Sequence, residues 1–290
     1  SSPTLGDLLS LRIVGQNSIL VGFPDLLERG STVVLDVVYG GRLDSQSLDR
    51  EAIQVQSQRQ NDEAPPLILV PEPRYLYSNR VPWYPQGGSN DYATAEMRLR
   101  VPSEYQILAS GTLVRSTMLP NNDPGKSGSK SIRVVDYLAD RPVRYLACVI
   151  SRFLPIGRMR VDVPAVAPPV VSRPGNAADS TGVNLDVVST TRMTGRNRQT
   201  PQRVAAILTS FARITGEVPY PDFTLAALDD NLPGGHSPAY FAVFHQPLPT
   251  TPYSWAGDPV AFDETYASWG QSVMSPISAR CGARRATRSW

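Results

Sequence analysis

The chain is expected to be mainly β with an α/β C-terminal part, an antiparallel β-sandwich followed by strands around a helix. Three observations predict this. Prolines number 27 in 290 residues, close to twice the usual share of about 5%, and interior proline breaks helices. Short β-branched or alternating runs, separated by turn residues, recur from residue 11 to about 155, as in a sandwich. A single strong amphipathic pattern, over residues 201–216, stands apart from them.

In chain order, Val33-Val-Leu-Asp-Val-Val-Tyr39 is a β-branched run closed by Gly40-Gly41 and reads as a strand. Leu67-Ile-Leu-Val70 is a short apolar run between prolines. Ala95-Glu-Met-Arg-Leu-Arg-Val101 alternates strictly, the period of two that a half-buried antiparallel strand needs. Tyr105–Ala109, Ser131–Val135 and Val143–Ile150 continue the series, with Asn121-Asn-Asp-Pro-Gly125 at a hairpin tip. Residues 164–182, rich in proline and glycine, read as a connector, and Asn184–Thr191 as a strand. Thr200 can cap the helix, and Pro201 suits its first turn, where no amide donor is needed. Val204, Ile207, Leu208, Phe211 and Ile214 then share one face. Gly216, Pro219 and Pro221 stop the helix, and strands Phe223–Leu228 and Ala239–Phe244 flank a Gly-rich turn.

Composition narrows the function. Lys+Arg 28 against Asp+Glu 26 leaves +2, so no bulk field favours nucleic acid or an anionic membrane. Only Lys126 and Lys130 are lysines; the remaining cations are arginines. No apolar run approaches the roughly 18 residues of a membrane helix. With 41% hydrophobic residues in patterned runs, the chain is not expected to be disordered. Cys148 lies in an apolar run far from Cys281, which reads as a buried free thiol and gives no disulfide framework. The chain opens Ser1-Ser2-Pro3, without initiator methionine or signal sequence, as a mature or partial chain does.

Three stretches together resemble the aminopeptidase N family of zinc metallopeptidases, the gluzincins. The first is Tyr75-Leu-Tyr-Ser-Asn-Arg-Val-Pro-Trp-Tyr-Pro-Gln86, followed by Asp91–Pro102 and Tyr105–Gly111. It is similar to the family's N-terminal sandwich. The second, helix 201–216 leading through Pro219-Tyr-Pro-Asp-Phe223, resembles the opening of the catalytic domain. The third is Leu232-Pro-Gly-Gly-His-Ser-Pro-Ala-Tyr-Phe241, placed where the family has its substrate-edge strand. The resemblance covers roughly residues 30–263. It implies a sandwich over 1–160, a connector over 161–182 and the start of a catalytic-like domain over 183–268, with an unrelated Arg-rich tail over 269–290.

The family's chemistry uses His-Glu-x-x-His on a helix plus a later Glu. Two imidazoles one turn apart hold zinc, and the intervening Glu deprotonates the attacking water. This chain has two histidines, His236 and His245, and neither is followed by Glu. No catalytic residue and no metal ligand is therefore assigned. Zinc is expected in a complete family member and not in this chain. After Asp258–Asp263, Glu264–Ser268 leads almost directly to Trp269-Gly-Gln271, and Met274–Trp290 has four arginines and no acid. That tail reads as an out-of-frame translation. The expected function is that of a truncated, catalytically inactive homologue of a zinc-dependent metallopeptidase. The alternative is a non-catalytic sandwich that binds peptide or glycan. A complete homologue would take a peptide substrate, and the resemblance is compatible with a longer parent outside the cytoplasm or tethered to a membrane.

The substrate-binding residues that the resemblance implies are Pro233, Gly234, Gly235, His236 and Ser237. The family's Gly-x-Met-Glu-Asn loop uses its Glu to hold a free α-amine by a charge-assisted bond, and Ser237 cannot supply a carboxylate. The backbone of 233–237 can still pair with an extended peptide, as a strand edge does. His236 reads equally as a ligand contact or a solvent-facing turn residue, and His245 as structural. Asp229-Asp-Asn231 reads as turn chemistry. Tyr75, Tyr77, Trp83, Tyr84 and Tyr92 read as an inter-sheet or interdomain contact before a sugar-stacking platform.

Overall fold

The computed structural model describes residues 1–16, 18–45, 73–86, 92–122, 131–162, 182–195, 198–215, 220–228 and 235–244. Two antiparallel three-stranded sheets face one another. One has strand order β3 (Arg74–Tyr77), β8 (Cys148–Ser151), β5 (Gln106–Ala109); the other has β4 (Ala93–Pro102), β7 (Ser131–Val143), β6 (Thr112–Pro120). A hairpin of β1 (Leu9–Ile13) and β2 (Ser18–Gly22) forms its own small sheet.

The alternation of β4 sends Met97 and Val101 inward, where they pack with Ile107, Val135, Tyr137 and Cys148 between the two sheets. Its polar residues face outward, where Arg98 grips Asp136 of β7 with Nε at 2.7 Å and Nη2 at 3.2 Å. Between β5 and β6, Gly111 has φ +124°, and a Cβ there would lie 2.7–2.9 Å from the backbone of Leu138 and Ala139. Only glycine meets both conditions.

The third layer is a mixed sheet of order β12 (Gly235–His236), β13 (Phe241–Phe244), β11 (Asp222–Ala227), β10 (Gly182–Thr190), β9 (Phe153–Asp162). β10, β11 and β13 are parallel, and the two edge strands run antiparallel to them. Parallel neighbours need a crossover, which α1 (Thr200–Thr215) supplies between β10 and β11. Val204, Leu208 and Ala212 of α1 are buried against Leu185, Val187 and Leu225, each valine or leucine side chain contributing about 1.5–3 kcal/mol by leaving water.

A second core joins this sheet to the sandwich: Phe153, Phe241 and Val243 pack with Leu76, Ala147 and Val149. A third sets Ala139 and Val143 of β7 against Tyr220 and Tyr240. Among the described residues the architecture is thus mainly β with one α-helix, as the sequence predicts.

Three local expectations change. Residues 33–39 form no strand: β-branched residues favour strands only beside a paired neighbour, and among the described residues the backbone here meets Ser1, through two hydrogen bonds at Asp36, and not a neighbouring strand. The run 143–150 is two strands, because the chain must turn from one sheet to the other. At that corner Leu146 donates its amide to the Tyr84 hydroxyl, 3.0 Å, and Ala147 to Ser110 Oγ, 3.0 Å. β9 is a strand that the sequence reading lacks, and its residues 153–160, assigned there to the sandwich, pair with β10 in the mixed sheet. The runs at 67–70 and 164–181, Gly216, Pro219, Asp229-Asp-Asn231, His245 and everything beyond lie outside the described residues.

Candidate functional site at the mixed-sheet edge

Of the residues implied to bind substrate, Pro233 and Gly234 lie outside the described residues. Gly235 and His236 form β12, paired antiparallel to β13 with Gly235 opposite Phe244 and His236 opposite Val243. β12 is the last strand of the sheet, and its outer side has no ladder partner among the described residues. Ser237 follows and is only 6% exposed, which leaves little of its side chain for a ligand.

His236 is not the solvent-facing turn residue that one reading allowed. Its ring lies 6.4 Å from that of Tyr145, and its Nε2 is buried without a hydrogen-bond partner. Burial, with the nearby Arg80 charge adding, pushes its pKa from 6.5 down to about 4. At neutral pH the imidazole is therefore uncharged, with one nitrogen able to donate and the other to accept.

The chain returns from β12 to β13 through Tyr240, which is 2% exposed and has φ +74°, a left-handed backbone in a residue that is not glycine. Its carbonyl accepts from the Thr224 amide of β11 at 3.0 Å. Its ring stacks on Tyr220 at 4.0 Å between centroids. Its hydroxyl donates to Asp140 Oδ1 at 3.0 Å and accepts from the Arg141 amide at 3.3 Å, both at the end of β7.

The aromatic cluster is built into the sandwich. Trp83 meets Tyr84 edge-on at 5.0 Å and Tyr77 at 6.3 Å, and both Tyr77 and Trp83 pack on the inter-sheet core. Tyr75 meets Tyr105 edge-on at 6.1 Å, and the Arg152 guanidinium sits 5.6 Å from the Tyr105 ring centre.

A cleft of about 1180 Å³ separates the polar end of the mixed sheet from the sandwich. Its carboxylates are already engaged. Asp222 accepts from Thr112 at 2.6 Å and Asn184 at 2.9 Å, and Asp186 from Arg158 at 2.5 and 2.8 Å. Among the described residues no group of three or more His, Cys, Asp or Glu side chains is placed to hold a metal ion, so no donor set there fits the family's zinc. No described helix is long and apolar enough to cross a membrane.

Sequence reasoning marked the stretch that holds the edge strand but missed the residues that meet it: Tyr145 beside His236 and Tyr240 at the turn into β13. The positive φ of Tyr240 has no sequence signal, because glycine is the residue normally expected there.

No family model matches the chain, and no curated protein does. Solved structures do. A two-domain M1 zinc metallopeptidase, crystallised as a mutant bound to L-arginine, superposes with TM-score 0.55 at 14% identity, over 82% of this chain and 47% of that one. Aminopeptidase A of Legionella pneumophila, in complex with aspartic acid, matches with TM-score 0.41 at 14% identity, over 54% of this chain and 16% of that one. The chain thus spans about half the length of the first and under a fifth of the second. The 0.55 superposition identifies a shared fold: antiparallel sheets, a mixed sheet and a helix arranged as in part of an M1 metallopeptidase.

Proposed function

We propose that these residues are the sandwich and the first part of the catalytic-like domain of an M1 metallopeptidase-like protein, and that they dock extended peptide without hydrolysing it. The observation that carries this is the position of β12: a terminal strand of the mixed sheet with an unpaired outer side among the described residues. A peptide laid along 233–237 would gain main-chain hydrogen bonds, with side-chain preference set by whatever the alternate residues meet. The uncharged His236 beside it can give or take one further hydrogen bond. Hydrolysis through zinc would need the paired histidines and glutamate that the 290 residues do not contain.

The test is a titration with a fluorescently labelled extended peptide, beside a copy whose backbone nitrogens are methylated at alternate positions. Saturable binding of the plain peptide alone supports the reading. Equal binding of both, or of neither, refutes docking through the strand edge. Peptide cleavage that appears with added zinc and disappears with a chelator refutes the non-catalytic part.

A further inference from the structure

We infer that Tyr240 is a positioning residue through which the sandwich sets the geometry of the β12 edge. This rests on the docking reading above. A left-handed backbone at a tyrosine is disfavoured and persists only where its surroundings over-determine it. Here the surroundings come from three elements. The Thr224 amide of β11 holds the Tyr240 carbonyl at 3.0 Å. Tyr220 covers the ring. The end of β7 holds the hydroxyl, with Asp140 Oδ1 at 3.0 Å and the Arg141 amide at 3.3 Å.

The last of these is the informative one. Asp140 and Arg141 belong to the sandwich, lie 100 and 99 residues earlier in the chain, and are exposed. Tyr240 lies four residues after His236 and one before Phe241, so its backbone angles decide how β12 folds back on β13. Without the hydroxyl anchor the strained turn can relax to an ordinary φ. The edge strand would then spend less time in the register that presents its outer side. A ligand binds such a site more weakly in proportion to the competent fraction lost.

Tyr240→Phe keeps the ring and deletes the hydroxyl. Asp140→Asn keeps the shape of the exposed acceptor and removes its charge, without touching the buried core. Both should weaken the plain peptide, Tyr240→Phe by about tenfold and Asp140→Asn by less, as expected for strain that shifts an equilibrium by a factor of roughly 5–30. Neither should change the weak signal of the N-methylated peptide, which cannot pair with a strand edge; a general loss of structure would lower both. Amide exchange at Phe241–Val243 in the absence of peptide should also quicken in each variant that folds.

Plain-peptide affinity within twofold of wild type in Asp140→Asn and Tyr240→Phe overturns the inference. If wild type itself does not distinguish the two peptides, the docking reading fails, and amide exchange then decides for Tyr240 alone. Unchanged exchange overturns its positioning role, and faster exchange upholds it at the edge.

Discussion

Replacing Gly111 with alanine is the most direct test of how the sandwich is closed. The new Cβ would sit 2.7 Å from the carbonyl carbon of Leu138, 2.8 Å from its oxygen and 2.9 Å from the Ala139 nitrogen. All three are backbone atoms of the central strand β7, so no rotamer change can relieve the contact. The φ of +124° adds a conformational cost of about 1–3 kcal/mol, and forcing the extra carbon into a packed site adds about 1–3 kcal/mol. Together they reach about 2–6 kcal/mol, a large share of the roughly 5–15 kcal/mol that keeps a domain folded. Urea titration of purified Gly111→Ala beside wild type measures this. Gly15→Ala is the control, because nothing lies within 4 Å of its added Cβ, and it should stay within about 0.5 kcal/mol of wild type. If the two variants lose equal stability, the close approach of Gly111 to β7 is wrong.

Other outcomes follow from the same geometry. His236 has a folded pKa of about 4 against an ordinary 6.5, so the unfolded chain takes up its proton first on acidification. Stability should fall as pH drops from 6.5 to 4, by up to about 3 kcal/mol, and His236→Gln should flatten that slope in denaturant midpoints measured across the window. Asp136 behaves differently: its hydrogen bond to Arg98 holds its pKa below 3.8, so its contribution is lost only below that pH and Asp136→Asn should leave the 4–6.5 slope intact. Leu185, 0% exposed under α1, should cost about 2–5 kcal/mol as Leu185→Ala, read as a lower melting temperature. The Cys148 thiol, pushed up to about 12 by burial, should resist a thiol reagent in the native protein and react on unfolding.

The parts of the fold legible in the sequence are those where one face differs from the other. β4 shows a period of two because Met97 and Val101 enter a core while Arg98 and Arg100 do not. The helix shows its 3.6 period because Val204, Leu208 and Ala212 fall on the face that meets the sheet. β9 was illegible for the converse reason. Its Pro155 and Gly157 look like breakers, yet an edge strand tolerates proline, and a register shift opposite Val187 and Val188 absorbs the irregularity. Residues 33–39 misled because β-branched composition was present without a partner strand among the described residues. At the site, the β12 edge followed from a resemblance in the Gly-rich turn. The contacts that hold it did not, since Asp140 and Tyr240 meet across 100 residues through a backbone angle that composition does not encode.

The passage from β8 to β9 takes a single residue, Arg152, whose guanidinium reaches Glu104 at 3.6 Å. Phe153 then enters the core shared by both assemblies. Proteins that trade modules by recombination, or that are trimmed into independently expressed halves, need a seam of slack chain at which to cut. At this junction there is none. Dividing the molecule there would strip Phe153 from a pocket furnished by Leu76 and Val149 on one side and Phe241 and Val243 on the other, leaving each fragment with a raw hydrophobic wound. Any attempt to study the sandwich by itself should therefore carry β9 with it.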